Sequence, residues 1–97
     1  MKRLLLTALL AGLAPAAWAA DIAAGKAASS SCAMCHGASG QGTQMGGKLA
    51  GMDPAKFAQA MNDYKSGKRS HAIMKSQASK LSPADIDNLA AYYASLH

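Results

Sequence analysis

Apolar residues recur along this chain at helical spacing in two well-marked places. After Met52-Asp53-Pro54, the residues Phe57, Met61 and Tyr64 follow one another at steps of four and three, which places them on one helical face. After Leu81-Ser82-Pro83, a second stripe runs through Ile86, Leu89, Tyr93 and Leu96, with Tyr92 close to it. Both segments open on the same punctuation, a capping residue (Asp53, Ser82) followed by proline at the first helical position. An apolar residue before each cap, Met52 or Leu81, is placed to staple onto Phe57 or Ile86. Gly67 closes the first of these helices, and the second extends to about Leu96.

Two weaker segments complete the set. Asp21 caps an alanine-rich helix through about Ser30, and Ser70 to Ser79 forms a shorter helix with Ile73 and Met74 inward. Between Gly37 and Gly51 lie six glycines among Ser, Thr and Gln, a composition for irregular backbone that can pass close to a flat ligand. The chain has no valine, three isoleucines and two threonines, so strands have little to build on. The pattern predicts an all-α domain of three to four short helices.

The first nineteen residues follow different rules. Lys2 and Arg3 precede an apolar run from Leu4 to Leu13, then Pro15 and an Ala17-Trp18-Ala19 ending, which reads as a cleaved secretory signal over residues 1–19. The run is too short for the ~20 residues of a membrane span, so no stable span is expected after cleavage. In a bacterium the mature domain, residues 20–97, would occupy the periplasm.

A domain of 78 residues buries too little apolar surface to be comfortably stable without a staple. The chain's two cysteines lie in Cys32-Ala33-Met34-Cys35-His36, a C-x-x-C-H stretch. A zinc site needs about four N or S donors, yet only His71 and His97 remain, far apart in the chain. A thioredoxin-like pair needs a βαβ setting that this composition does not supply. A plain disulfide leaves His36 without a role. The remaining reading is covalent attachment of one haem c through Cys32 and Cys35, with the His36 imidazole beneath the iron. The other ring nitrogen of His36 then needs an acceptor, which the backbone carbonyls between Gly46 and Leu49 are placed to provide.

Charge adds little. The full chain carries +5, and the part after residue 19 has eight Lys and Arg against five Asp, or +3. Haem propionates would remove about two of these. The cations are scattered singly, with no aromatic platform between them, so nucleic-acid binding has no support. Lys48, Lys68 and Arg69 are the candidates to meet propionates or to form a docking rim.

With C-x-x-C-H-G, Lys48-Leu49-Ala50-Gly51, a late Ile73-Met74 and a closing L-S-x-x-D-I-x-x-L-A-A-Y-Y helix, the chain from Ala20 to His97 resembles the small class I bacterial cytochromes c. The resemblance implies a cytochrome c-like fold, electron transfer rather than catalysis, and a first and last helix that cross with Gly25 against Tyr92 or Tyr93. Met52-Asp53-Pro54, Phe57, Met61, Tyr64-Lys65-Ser66-Gly67 and Ile73-Met74 are further similar to the cytochrome subunit of flavocytochrome c sulfide dehydrogenases. That likeness implies a flavoprotein partner, although those subunits often carry two haem domains and this chain has one C-x-x-C-H.

Met45, Met52, Met61, Met74 and His71 are candidates for the sixth iron position, whereas Met34 lies between the two tethers. Met74 has enough chain behind it to pass around the haem, and the family position also favours it. Met61 and Met52 have packing roles to fill. His/Met ligation raises the potential and fills the sixth position, which favours a carrier. A free shuttle to a terminal oxidase or reductase, a small haem peroxidase with an open sixth site, and a non-haem exported module are the alternatives.

Overall fold

A computed structural model describes residues 20–97, and the expected leader lies outside them. Five helices are present and, among the described residues, no strands: α1 Ile22–Ala28, α2 Ser30–His36, α3 Pro54–Ser66, α4 Ala72–Ser79 and α5 Pro83–Ala94. Three to four helices were expected. The first helix ends at Ser29, close to its expected end, and the extra one is Ser30–His36, which was not expected and puts Cys32, Cys35 and His36 on a helix of their own. The Ser29 hydroxyl donates to the Lys26 carbonyl at 2.7 Å, a local side-chain bond of the kind that competes with the helix ladder.

The punctuation read from sequence forms as expected. Asp53 accepts the Lys56 N–H at 3.1 Å. Ser82 accepts the Asp85 N–H at 3.1 Å while the Asp85 carboxylate accepts the Ser82 N–H at 2.9 Å, a complete capping box. These bonds hold the Asp85 carboxyl below its ordinary range. Gly67 ends α3 with φ 85°, in the left-handed region where glycine avoids the Cβ penalty.

The helix pair α1 and α5 makes the most extensive contact in the fold, and α3 packs on both α4 and α5. An added Cβ at Gly25 would stand 2.1 Å from the Asn88 carbonyl oxygen and 2.9 Å from Tyr92 Cβ. The crossing is thus a backbone-to-backbone approach, the meeting of Gly25 with Tyr92 that the resemblance implies. Phe57, Ile86, Leu89 and Tyr93 are the largest fully buried side chains, with Met61, Leu49, Ala78, Ala90 and Tyr92 completing the core. Phe57 and Tyr93 meet ring to ring at 5.7 Å between centroids. The stripes on α3 and α5 are therefore the inward faces. On α4 Ile73 and Met74 both face an open cleft, Met74 half-buried and Ile73 59% exposed there.

Candidate functional site

One face of the core is open as a cleft of about 430 Å³, within the range of cofactor pockets. Cys32, Cys35, His36, Leu49, Phe57, Met61 and Met74 all line it. Cys32 and Cys35 are three apart on α2 and so share a helix face. Both are half-buried, and no disulfide joins them. Burial pushes the Cys32 thiol up, opposed by hydrogen bonds from Tyr93 and Ser31. Burial, followed by the neighbouring Cys32, pushes the Tyr93 phenol well above its usual range.

His36 ends α2, where Gly37 at φ 97° turns the chain away. The loop that follows is tied back under it: the Gly42 N–H donates to the His36 carbonyl at 2.8 Å, and the Thr43 hydroxyl donates to the Cys35 carbonyl. His36 Nδ1 lies 2.7 Å from the Gly47 carbonyl oxygen. A carbonyl only accepts, so Nδ1 carries the proton and Nε2 keeps its lone pair. The acceptor falls in the expected segment. Gly46 makes this approach possible, since a Cβ there would stand 2.8 Å from His36 Nδ1 and 2.9 Å from the Cys35 carbonyl oxygen. Gly40, at φ 65°, plays the corresponding part behind the loop, where its Cβ would sit 2.7 Å from the Tyr93 ring.

The α3–α4 side of the cleft brings Met61, Tyr64, Arg69, His71 and Met74 to one place. Met61 is 7% exposed and packed into the core, Met52 is half-buried, and Met45 is 73% exposed on the loop. Met34, 83% exposed, does not line the cleft. His71 caps α4, its Nδ1 accepting the Met74 N–H at 3.2 Å. Its ring meets Tyr64 edge-on at 6.1 Å, and the Arg69 guanidinium lies 4.8 Å from the Tyr64 ring centroid. Sequence reading gave Tyr64 a packing role and missed it as the platform between Arg69 and His71. Of the three candidate propionate cations, Lys48 and Arg69 line the cleft and Lys68 does not.

The donor chemistry fits a haem c: two thiols on one helix face, an imidazole with a free Nε2 and its other nitrogen hydrogen-bonded, an apolar wall and two flanking cations. It does not fit a protein-only metal cage, because no group of three or more His, Cys, Asp or Glu is gathered among the described residues. Nor is any helix among them long and apolar enough to cross a membrane.

This arrangement is that of a class I c-type cytochrome domain, with haem c held covalently. Residues 19–92 match the family model described as cytochrome c oxidase, cbb3-type, subunit III, and the chain belongs to that family. It is similar to the thiosulfate dehydrogenase electron acceptor of Thiomonas intermedia, 41% identical over 99% of this chain and 45% of that one. With cytochrome c4 of Pseudomonas aeruginosa it shares 43% identity over 95% of this chain and 45% of the relative. The chain thus spans about half the length of these two. Cytochrome c-554(547) of Halothiobacillus neapolitanus is 40% identical over 80% of this chain and 99% of its own length. Among solved structures, cytochrome c4 of Acidithiobacillus ferrooxidans superposes with a TM-score of 0.74 at 27% identity, over 81% of this chain and 52% of that one. These relatives correct the finer sequence likeness: they are cytochromes c4, a cytochrome c-554(547) and a thiosulfate dehydrogenase acceptor, and none of them is a sulfide dehydrogenase subunit.

Proposed function

We propose that residues 20–97 act in the periplasm, after removal of residues 1–19, as a one-electron shuttle that accepts electrons from an enzyme of the thiosulfate dehydrogenase type. Cys32 and Cys35 would hold haem c through thioethers, and His36 and Met74 would ligate its iron. The observation that carries this reading is the His36 Nδ1–Gly47 bond of 2.7 Å, which keeps Nε2 available in the same cleft that Met74 lines. Bound there, haem c supplies an Fe(III)/Fe(II) couple.

The chain's own residues set how that couple behaves. The Gly47 carbonyl orients the His36 ring and raises its basicity. A Met74 thioether raises the potential relative to a second imidazole and occupies the position that oxygen or peroxide would need. Leu49, Phe57 and Met61, all buried, keep water from the apolar wall. Lys48 and Arg69 are the cations for the propionates. Met61 is buried in the core and Met45 stands on an exposed loop; Met52 and Met74 are both half-buried at the cleft, and of the two Met74 has the longer chain behind it to pass around the haem.

The test compares the wild-type holoprotein with Met74→Ala. The wild type is expected to show the far-red ferric iron-to-sulfur band and to be reduced by thiosulfate plus a thiosulfate dehydrogenase. The variant is expected to lose the band, to fall in potential, and to be reduced more slowly. Survival of the band and potential in the variant overturns the ligand, and a wild type that the dehydrogenase leaves oxidised overturns the donor.

A further inference from the structure

We propose that His71 is a positioning residue for Met74, holding that methionine at the cleft through its backbone rather than binding the iron itself; the proposal rests on Met74 as the sixth ligand. Met74 is the third residue of α4, and its N–H would have no partner within the helix. His71 Nδ1 accepts it at 3.2 Å. The cap is unusual in kind, since Ser, Thr, Asp and Asn ordinarily fill this position. An imidazole adds a ring, and the ring is in use: it stands edge-on to Tyr64 at 6.1 Å and 73°, while Arg69 covers Tyr64 at 4.8 Å from its centroid. Arg69 and His71 thus both meet the Tyr64 ring, which links α3 to the first turn of α4.

The surroundings give this joint its importance. Helix α4 has eight residues and buries only Ala78, near its far end. That end is fastened by the Leu81 N–H to the Ala78 carbonyl at 3.1 Å and by Lys65 Nζ to the Leu81 carbonyl at 2.7 Å. At the near end, where Met74 sits, the chain from Gly67 to Ser70 is irregular and tied by the Arg69 N–H to the Asp63 carbonyl at 3.1 Å. The His71 cap is the contact that fixes Met74's own backbone. His71 lines the cleft as well, yet the Nδ1 lone pair is already occupied by the helix.

The experiment is a titration of ferric holoprotein with free imidazole, read by loss of the far-red iron-to-sulfur band as the added ligand displaces the methionine. His71→Asn keeps a capping oxygen without a ring, His71→Phe keeps a ring without a cap, and His71→Ala removes both. Loss of the cap is expected to make imidazole bind about five-fold more tightly to the Phe and Ala variants, the factor that corresponds to a cap of about 1 kcal/mol. His71→Asn is expected to stay within about two-fold of wild type, the few tenths of a kcal/mol that separate one capping side chain from another. If the Ala variant does not fold, the Asn and Phe pair alone decides. A Phe variant that titrates like wild type, or an Asn variant that titrates like the Phe variant, overturns the cap. A far-red band that persists in Met74→Ala instead overturns the ligand assignment beneath it, so the two failures are distinct.

Discussion

The two walls of the cleft are made to different tolerances. On the α2 side the backbone is crowded against the side chains it supports: Gly46 lies where a Cβ would come within 2.8 Å of His36, Gly40 presses on Tyr93, and Gly25 brings α1 onto α5 behind them. On the α3–α4 side Gly67 has 3.7 Å of room, Ile73 is 59% exposed, and Met74 depends on one capped N–H at the start of a short helix. The first wall is built so that an imidazole cannot shift without moving backbone. The second adds to the packing of Met74 against the core a helix cap worth about 1 kcal/mol. With His36 and Met74 as the proposed ligands, the weak thioether donor would stand on the side of the site that can yield and the strong nitrogen donor on the side that cannot.

Substitutions that add one methyl group probe the stiff wall directly. Gly25→Ala is expected to have the largest effect, since its Cβ would stand 2.1 Å from a backbone oxygen that no rotamer change can move. Overpacking of this kind costs roughly 3 kcal/mol, against which alanine returns about 1 kcal/mol of helix propensity. The net loss of roughly 2 kcal/mol corresponds to a melting temperature lower by about 8–16 °C, measured on the holoprotein by circular dichroism. An unchanged melting temperature would mean that α1 and α5 can part without cost, and the crowded wall would not be stiff.

Gly46→Ala comes next and reports on His36. The added Cβ would meet Nδ1 at 2.8 Å and Cε1 at 2.9 Å, so the loop must retreat and lengthen the bond to the Gly47 carbonyl. About 1–2 kcal/mol of stability is expected to be lost. The potential is expected to rise, because a weaker hydrogen bond leaves the imidazole less basic and a poorer donor to ferric iron. Gly47→Ala is the matched control, since its Cβ would have nothing within 4 Å. Equal shifts in the two variants would show that the loop does not orient His36.

The stiff wall is also the part most legible in the amino-acid sequence. Cys32, Cys35 and His36 announce themselves within five residues because the chemistry is local, and the need of a bound imidazole for an acceptor pointed to the carbonyls between Gly46 and Leu49. The meeting of Gly25 with Tyr92 came from family resemblance, not from the helical stripe, which would look the same in any amphipathic pair. The yielding wall was harder to read. Ser70 looked like the start of α4, since serine is a common cap and histidine is not, but His71 performs the capping. Ile73 and Met74, expected inward, both line the cleft. The end of α1 near Ser30 was legible, but the restart as α2 over Ser30–His36 was not, since Ser29-Ser30-Ser31 offers no apolar stripe to mark a new helix.

Met34→Ala is expected to have the smallest effect. Met34 lies between the two cysteines in sequence, closer to the tethers than any other methionine, yet it is 83% exposed and does not line the cleft. It points away because Cys32 and Cys35, three positions apart, share one face of α2, and a residue between them is turned off that face. An exposed side chain with no packing duty changes stability by no more than about 0.5 kcal/mol when truncated, so the melting temperature, far-red band and potential are all expected to match wild type. A shift in the band on removing Met34 would mean that α2 rotates when the tethers form. The crowding at Gly46 and the hydrogen bond at Gly47 would then describe a wall that had to be rebuilt, and its stiffness would be lost as the reason His36 stays in place.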